Sequence, residues 1–391
     1  MTVARLQDRS AQLTRSQNNV PSHEASSYVP ALTGIRAFAA LLVLVVHTNQ
    51  KFPSYVSAHV DFLHRGYLGV DLFFILSGYI IAHVYLQAIA KPNARNIRIF
   101  LWHRFIRLFP AHAAVLIGLI ALVLVGRAVG VPFRADEGWS FSELPWHILM
   151  LHAWGTVDTM GWNSPSWSIS AELFAYLLFP ALALCLIRAP RPVALVLALV
   201  ALAGFVIVFE FAGWRVKTAW LGPPALIRVC AEFLCGACLC RAALFQGPHR
   251  LSSRSADVIG LGGLVGFVIA AQLQSSEFLL IALLGMVVVG ASGDGRAMSG
   301  VFSPRPVVWL GEISYSLYIV HAPLLFVLRH GLEQIGLQSW AGPMRLVAFL
   351  AALVIVVAGA GVLFYVVEQP VRRRLRNSLG KIAPAPVERT A

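Results

Sequence analysis

The sequence predicts an all-α polytopic membrane protein, built as a bundle of about ten transmembrane helices. Of its 391 residues, 58% are hydrophobic and 13% are charged, and the mean hydropathy is +0.72. A soluble domain carries about 25% charged residues. The apolar residues here come in runs of about 20, the length of a helix that crosses the hydrocarbon core. A membrane β-barrel would instead show short segments of alternating hydrophobicity. Composition and run length therefore favour membrane helices.

Ten apolar runs define a transmembrane domain over residues 31–370, flanked by tails at 1–30 and 371–391. The first tail is polar and is expected to be a cytoplasmic segment rather than a cleavable signal peptide. The second tail is basic and is also expected in the cytoplasm. The predicted spans are 31–49, 67–89, 104–126, 166–187, 192–212, 222–243, 256–273, 277–292, 307–328 and 343–367.

The distribution of basic residues predicts the orientation of these spans. With the N-terminus in the cytoplasm, 21 of the 31 Lys and Arg residues fall on cytoplasmic segments and 8 on the outer segments. Such a bias is typical of membrane proteins and places both termini inside. The formal charge of +13 could indicate nucleic-acid binding, but the basic residues are scattered between apolar runs. Membrane topology explains that pattern better than a nucleic-acid surface does.

The first span, TGIRAFAALLVLVVH, contains one arginine and one histidine. Arg36 and His47 are eleven residues apart, so they share one face of a helix and lie about 16 Å apart along it. An Arg and a His on one stripe of a membrane helix indicate a functional cavity. The alternative is that each residue anchors one end of the helix at a membrane interface.

The second span carries a carboxylate, Asp71, about one turn from its outer end. A carboxylate at that depth needs a partner. His47 and Arg65 are the nearest candidates by topology. Asp71 is therefore a candidate catalytic residue beside His47.

The third span begins with two arginines, Arg104 and Arg107, three residues apart on one helix face. Guanidinium groups in this arrangement suit a phosphate, which predicts a clamp for a phosphorylated cytoplasmic ligand. The alternative is that both residues only satisfy the positive-inside rule and contact lipid phosphates.

The fourth span starts with the polar residues Ser168, Glu172 and Tyr176, spaced by four and so on one face. Glu172 is expected at about the depth of His47, and a His–Glu pair would orient the imidazole and raise its basicity. The preceding stretch, 127–165, carries four tryptophans, which suit either a membrane interface or stacking on sugar rings.

In the ninth span, Gly311, Ser314, Tyr318 and His321 fall on one stripe. A polar stripe in an apolar helix faces a bundle interior or a wet cavity.

In the sixth span, Arg228 and Glu232 are four residues apart and predict an internal salt bridge. The CxxC formed by Cys235 and Cys238 lies in an apolar helix without a convergent histidine. It therefore predicts packing residues rather than a metal site.

Six stretches, in order, resemble the integral-membrane acyltransferase family 3: TGIRAFAALLVLVVH, GVDLFFILSGYII, HRFIRLFP, NSPSWSISAEL, LGEISYSLYIVH and YVVEQP. The resemblance covers nearly all the chain outside its tails and implies ten helices. It also implies transfer of an acyl group, usually acetyl, from cytoplasmic acyl-CoA to a hydroxyl, usually of a sugar outside or in the membrane. Because the chain ends soon after the tenth span, the stand-alone form without an appended hydrolase-like domain is expected.

The resemblance also implies roles for single residues. Arg104 and Arg107, with Arg36, would hold the CoA phosphates, and no metal is expected. His47 would be the general base or a transient acyl carrier, and Glu172 would set its tautomer. The candidates that would stabilise the oxyanion are Ser168, Tyr318 and His321.

Three other functions remain open from the sequence alone. The acceptor could be a small lipid-soluble compound such as a macrolide or glycolipid instead of a cell-surface saccharide. The polar stripes could also line the pathway of a saccharide or lipid transporter, although no inverted repeat is evident. A membrane scaffold would leave Arg36, His47 and Glu172 unexplained. Acyl transfer in a bacterial cytoplasmic membrane is the favoured interpretation.

Overall fold

A computed structural model describes residues 29–52, 61–90, 93–131, 133, 138–243, 251–334, 336, 340, 342–376 and 378. Within these ranges the long elements are all α-helices and there is no β-strand. The predicted polar tail at 1–30 lies outside the described residues except for its last two positions. Most of the predicted basic tail at 371–391 lies outside them as well.

Ten long helices, labelled α1 to α10, occur in the described chain, one at each predicted span. They are α1 Pro30–Lys51, α2 Gly69–Ala90, α3 Ala94–Ala128, α4 Ser166–Leu186, α5 Arg191–Ala212, α6 Gly222–Ala243, α7 Ser253–Gln272, α8 Glu277–Ser292, α9 Ser314–Gln334 and α10 Gly342–Leu363.

Seven helices in the described residues are long and apolar enough to cross a membrane, or nine if each of two bent pairs is counted as one span. One pair joins α8 to Arg296–Phe302 at 103°, and the other joins Arg305–Glu312 to α9 at 65°. Helix α6 is not among these candidates. The all-helical, multi-pass architecture is therefore confirmed, whereas the count of ten spans is not.

Local sequence signals explain several helix boundaries. Asn93 accepts a hydrogen bond from the backbone N–H of Arg95 at 2.9 Å and caps α3, which begins ten residues before the predicted span. Ser252 caps α7 in the same way, accepting from the N–H of Ser255 at 3.1 Å. Short polar side chains at these positions satisfy backbone donors that the first helical turn leaves free.

Helix α1 is the centre of the bundle. It packs against α2, α8, α9 and α10 and against the short helix Arg305–Glu312. The backbones come very close because small residues lie at the crossings. A side chain at Gly34 would collide with the backbone carbonyl of Phe302, and one at Gly311 would collide with that of Thr33. Such contacts are typical of helices that associate through small residues in membranes.

The predicted ninth span, 307–328, is not one straight helix. The chain bends by 65° between Arg305–Glu312 and α9. Gly311 therefore belongs to a separate helix and does not continue the stripe of Ser314, Tyr318 and His321. The stripe prediction is wrong for Gly311 because helical periodicity was extended across the bend.

The segment 138–165 folds back on α4. Trp162 is 3% exposed and donates a hydrogen bond to the carbonyl of Ser140 at 2.9 Å. Trp154 donates to the carbonyl of Ser170 at 2.9 Å. Both indole N–H groups are thus satisfied by contacts within the protein.

Three buried histidines, His112, His147 and His152, pack together at this segment. The rings of His147 and His152 stack with centroids 4.2 Å apart. His152 Nε2 lies 3.0 Å from the Ser166 hydroxyl, and His112 Nε2 lies 2.8 Å from the His147 carbonyl. Burial, followed by the neighbouring His112, lowers the pKa of His147 from its ordinary value of 6.5 to about 4. The native state therefore holds this imidazole neutral.

This burial predicts a loss of stability in mild acid. The unfolded chain binds a proton at His147 below about pH 6.5, whereas the folded protein does not until about pH 4. The free energy of unfolding should therefore decrease as the pH falls from about 6.5 to 4. Thermal unfolding in detergent across this range should show a steeper decrease for the wild type than for His147→Leu. An equal decrease with pH in the two proteins would show that the pKa of His147 is not lowered in the folded state.

Candidate functional site

Six of the predicted site residues surround one cavity of about 120 Å³. Their helices are neighbours in the bundle, so residues far apart in sequence meet there. The cavity is lined by Arg36 of α1, Arg104 and Arg107 of α3, Glu172 and Ser168 of α4, and Tyr315 and Tyr318 of α9. Three arginines and one carboxylate indicate a site for an anionic ligand.

Arg36 is the cavity arginine with the least compensation. Its half-buried side chain lines the cavity, and its guanidinium makes no hydrogen bond or salt bridge with any described residue. A cation inside a helical bundle is costly unless it faces water or an anion. Arg36 is therefore placed to meet a ligand rather than a protein partner.

Arg104 is held by aromatic groups and not by a carboxylate. It donates a hydrogen bond to the Tyr85 hydroxyl at 3.2 Å. Its guanidinium carbon lies 5.1 Å from the centroid of the Tyr85 ring and 5.7 Å from that of Tyr176. Aromatic faces attract a cation without neutralising it. The positive charge of Arg104 thus remains available to the cavity.

Arg107 differs from its neighbour because it forms an ion pair with Glu368. The Glu368 carboxylate is fully buried and also accepts from Arg372 at 3.1 Å and from the Ser316 hydroxyl at 2.7 Å. The predicted clamp of Arg104 and Arg107 is therefore asymmetric. Arg104 keeps its charge, whereas a carboxylate compensates the charge of Arg107.

Glu368 holds a cavity arginine, Arg107, and this role was not predicted from the sequence. It ends a π-helical turn, Phe364–Glu368, which continues from α10. Turns of this kind occur often at functional sites. The available signal was a single carboxylate at the end of a long apolar run, in the stretch YVVEQP. That signal does not identify Arg107 as the partner, which is distant in sequence.

Glu172 lines the cavity but does not pair with His47, and the predicted His–Glu contact is wrong. The Glu172 carboxylate accepts a hydrogen bond from the Tyr176 hydroxyl at 2.5 Å. That hydroxyl also lies 3.1 Å from the Ser77 hydroxyl. Similar depth in the membrane does not bring two residues together, because helix rotation decides which neighbours their side chains face.

His47 instead lies beside His321 of α9. His47 Nδ1 is 3.2 Å from His321 Nε2, and the ring centroids are 5.0 Å apart. His47 Nδ1 is also 3.0 Å from the carbonyl of Val43, one turn earlier. His321 is almost fully buried, and His47 is half-buried. The pair forms the most polar part of the contact between α1 and α9.

Ser168 and Tyr318 connect the cavity to this histidine pair. Their hydroxyl groups are hydrogen-bonded at 2.8 Å, and both residues line the cavity. The carbonyl of Tyr318 lies 2.6 Å from His321 Nδ1. Tyr318 therefore contacts the cavity through its hydroxyl and the histidine pair through its backbone carbonyl.

Asp71 contacts neither of its predicted partners, His47 and Arg65. The Asp71 carboxylate pairs with both ends of the Arg228 guanidinium, at 2.9 and 2.7 Å. Glu232 lies on the same arginine at 3.9 Å, which confirms the predicted i,i+4 contact. Arg65, the other predicted partner of Asp71, pairs with Glu277. The contacts of Asp71 support a structural role.

Comparison with known proteins identifies the family. A family model described as an acyltransferase domain matches residues 29–365. The chain belongs to the acyltransferase 3 family. Within that family it is 26% identical to the peptidoglycan O-acetyltransferase OatA of Listeria monocytogenes and 22% identical to the O-acetyltransferase OatA of Staphylococcus aureus. It is 28% identical to the acyltransferase MdmB of Streptomyces mycarofaciens. No solved structure matches the chain.

The similarity covers different shares of these family members. It extends over 88–89% of this chain in all three cases. The chain spans 56% of the length of the Listeria protein and 58% of the Staphylococcus protein, but 92% of the Streptomyces protein. The shared part therefore corresponds to the helical domain described above.

The buried pair of Asp71 and Arg228 predicts a large effect on stability. Replacing Asp71 with Leu leaves a buried guanidinium without its main partner, which should cost about 3–5 kcal/mol of unfolding free energy. The double variant Asp71→Leu/Arg228→Met should recover most of that loss. Thermal unfolding in detergent measures both effects.

The exposed pair Arg329–Glu333 on α9 provides a matched control, because Glu333→Leu should change stability little. A stable Asp71→Leu protein that has lost all acyl transfer would contradict the structural role and restore the catalytic one.

Proposed function

We propose that the protein is a membrane O-acyltransferase that moves an acyl group, acetyl in the simplest case, from cytoplasmic acyl-CoA to a hydroxyl of a cell-surface or lipid-linked saccharide. Membership of the acyltransferase 3 family supports the reaction class. Two relatives are named O-acetyltransferases, and one of these is named for peptidoglycan. The distribution of basic residues supports a bacterial cytoplasmic membrane with both termini inside.

One observation carries the proposal: the cavity contains two arginines, Arg36 and Arg104, that no described carboxylate pairs with. The phosphate groups of CoA are anions that guanidinium groups bind well. We assign both residues to direct phosphate contact. Arg107 also lines the cavity, but Glu368 compensates its charge. Glu172, fixed by Tyr176, limits the net positive charge of the site.

In the proposed reaction, the acyl thioester reaches from the arginine cavity toward His47. The His47 imidazole takes the proton of the acceptor hydroxyl, and the hydroxyl oxygen forms a bond to the thioester carbonyl carbon. The carbon–sulfur bond then breaks. The proton passes from the imidazolium to the departing CoA thiolate, which leaves the imidazole neutral again.

The oxyanion formed in this step needs a hydrogen-bond donor. The Ser168 and Tyr318 hydroxyls line the cavity and bond to each other, and we assign this role to them. His321 was an equal candidate in the sequence. In the structure both of its ring nitrogens contact other protein atoms, so it has no donor directed at the substrate.

Replacing His47 with Ala should decrease acyl transfer by about 10²- to 10⁴-fold, the usual contribution of a general base. Release of free CoA from acetyl-CoA by purified protein in nanodiscs measures this rate, and binding of radiolabelled acetyl-CoA shows whether the donor site is intact. His330→Ala, an exposed position on α9, is the control and should retain activity. Turnover like the wild type in His47→Ala would eliminate His47 as the base.

The same assay separates the enzyme from a transporter. A folded wild-type protein that binds no acyl-CoA, but moves a saccharide or lipid across vesicles, would support the transporter interpretation. If acetyl-CoA binds, addition of saccharide or lipid-soluble acceptors should identify the acceptor class through faster CoA release.

Replacing Arg36 or Arg104 with Gln should weaken donor binding. A hydrogen bond to a charged group contributes about 1.5–3 kcal/mol, so the KM for acetyl-CoA should increase about 10- to 100-fold. Arg98→Gln is the matched control, because Arg98 is exposed on the same helix, α3. An unchanged KM in both cavity variants would show that the CoA phosphates bind elsewhere.

A further inference from the structure

We propose that His321 is a positioning residue that fixes the tautomer of His47, so that Nε2 of His47 is the atom that accepts the proton of the acceptor hydroxyl. This inference rests on the proposed function, in which His47 is the general base. It assigns to an imidazole the orienting role that the sequence analysis gave to Glu172.

The first step concerns the proton on His321. Its Nδ1 lies 2.6 Å from the carbonyl oxygen of Tyr318. A carbonyl oxygen can only accept a hydrogen bond, so Nδ1 of His321 must carry the proton. In a neutral imidazole the other nitrogen then has a lone pair and can only accept. Nε2 of His321 is therefore an acceptor.

The second step transfers this constraint to His47. Nδ1 of His47 lies 3.2 Å from Nε2 of His321 and 3.0 Å from the carbonyl oxygen of Val43. Both neighbours are acceptors, so Nδ1 of His47 must carry a proton and share it between them. Nε2 of His47 is then the nitrogen with a free lone pair. It makes no hydrogen bond with a described residue, and the ring is only half-buried.

The third step concerns charge. When His47 takes the substrate proton, a positive charge develops in the interior of the bundle. The lone pair of His321 already faces Nδ1–H of His47 and stabilises that charge as it forms. A carboxylate in the same place would put a permanent negative charge in the bundle before the substrate binds, which is costly there. Two neutral imidazoles avoid that cost in the resting state.

Two substitutions at position 321 separate the contacts of the ring. The amide of Gln reaches about as far as Nε2 of the imidazole, and its oxygen can accept from His47. The amide of Asn reaches only as far as Nδ1, so it can donate to the carbonyl of Tyr318 but cannot reach His47. His321→Asn should therefore decrease kcat by about tenfold or more, because a catalytic imidazole then loses the partner that fixes its tautomer. His321→Gln should recover most of kcat.

The KM for acetyl-CoA should stay near the wild-type value in both variants, because the arginine cavity is unchanged. Release of free CoA from acetyl-CoA is again the assay, and His330→Asn on the same helix is the control. A merely structural role for His321 would decrease folded yield and would not separate Gln from Asn. Wild-type kcat in His321→Asn would overturn the proposal, because the Val43 carbonyl alone would then suffice.

Nuclear magnetic resonance of the wild-type protein tests the proposal even if the His321 variants fold poorly. Nitrogen-15 NMR of protein labelled at histidine, at a pH where the imidazoles are neutral, distinguishes protonated from bare ring nitrogens. The signals that disappear in His47→Ala identify His47. We expect a protonated Nδ1 and a bare Nε2. A protonated Nε2 on His47 would overturn the proposal.

The failure of this inference can be distinguished from failure of the proposed function. If His47→Ala retains turnover, the function proposed for His47 is wrong. If His47→Ala is inactive while both His321 variants retain wild-type kcat, the base assignment holds and only the positioning role of His321 is lost.

Discussion

The constraint on which the rest of the structure depends is the cost of charge inside an apolar helical bundle. Asp71 pairs with Arg228, and Glu368 pairs with Arg107. Arg36 and Arg104 are the cavity arginines without a described carboxylate partner. Both line the cavity together with Arg107 and one carboxylate, Glu172, so the lining carries a net positive charge that suits an anionic ligand. The cost of buried charge therefore explains why most charged side chains of the bundle occur in ion pairs or at the cavity.

The charge pairs also assemble the site, because each joins helices that are far apart in sequence. Glu368, which follows α10, contacts Arg107 of α3 and Ser316 of α9. In lipid, helices have no hydrophobic driving force toward one another, so polar contacts and close packing of small residues determine their arrangement. Gly34 and Gly311 provide that close packing around α1. The residues that tie the helices together thus also determine the cavity's shape.

The sequence was sufficient for the all-helical, multi-pass architecture and for several of the residues that line the cavity. Arg36, Arg104 and Ser168 were predicted from periodicity and depth, and all three lie there. The partners were not predictable, because depth along a helix says nothing about rotation around its axis. For this reason Glu172 was predicted to contact His47, whereas it contacts Tyr176. The contact between Glu368 and Arg107 was not predicted for the same reason. The bend before α9 also made the predicted stripe wrong at Gly311, since a period of 3.6 residues has meaning only within one straight helix.

Under the proposed function, the spacing of Arg36 and His47 along α1 also sets the length that the acyl donor must have. Arg36 and His47 are about 16 Å apart on this rigid helix. A donor must therefore hold its anionic group and its reactive carbonyl at the two ends of a long, slender arm, as the pantetheine chain of CoA does. An acyl phosphate, whose anionic and acyl groups are joined directly, cannot occupy both positions at once. One helix thereby selects the length of the donor independently of the acyl group it carries.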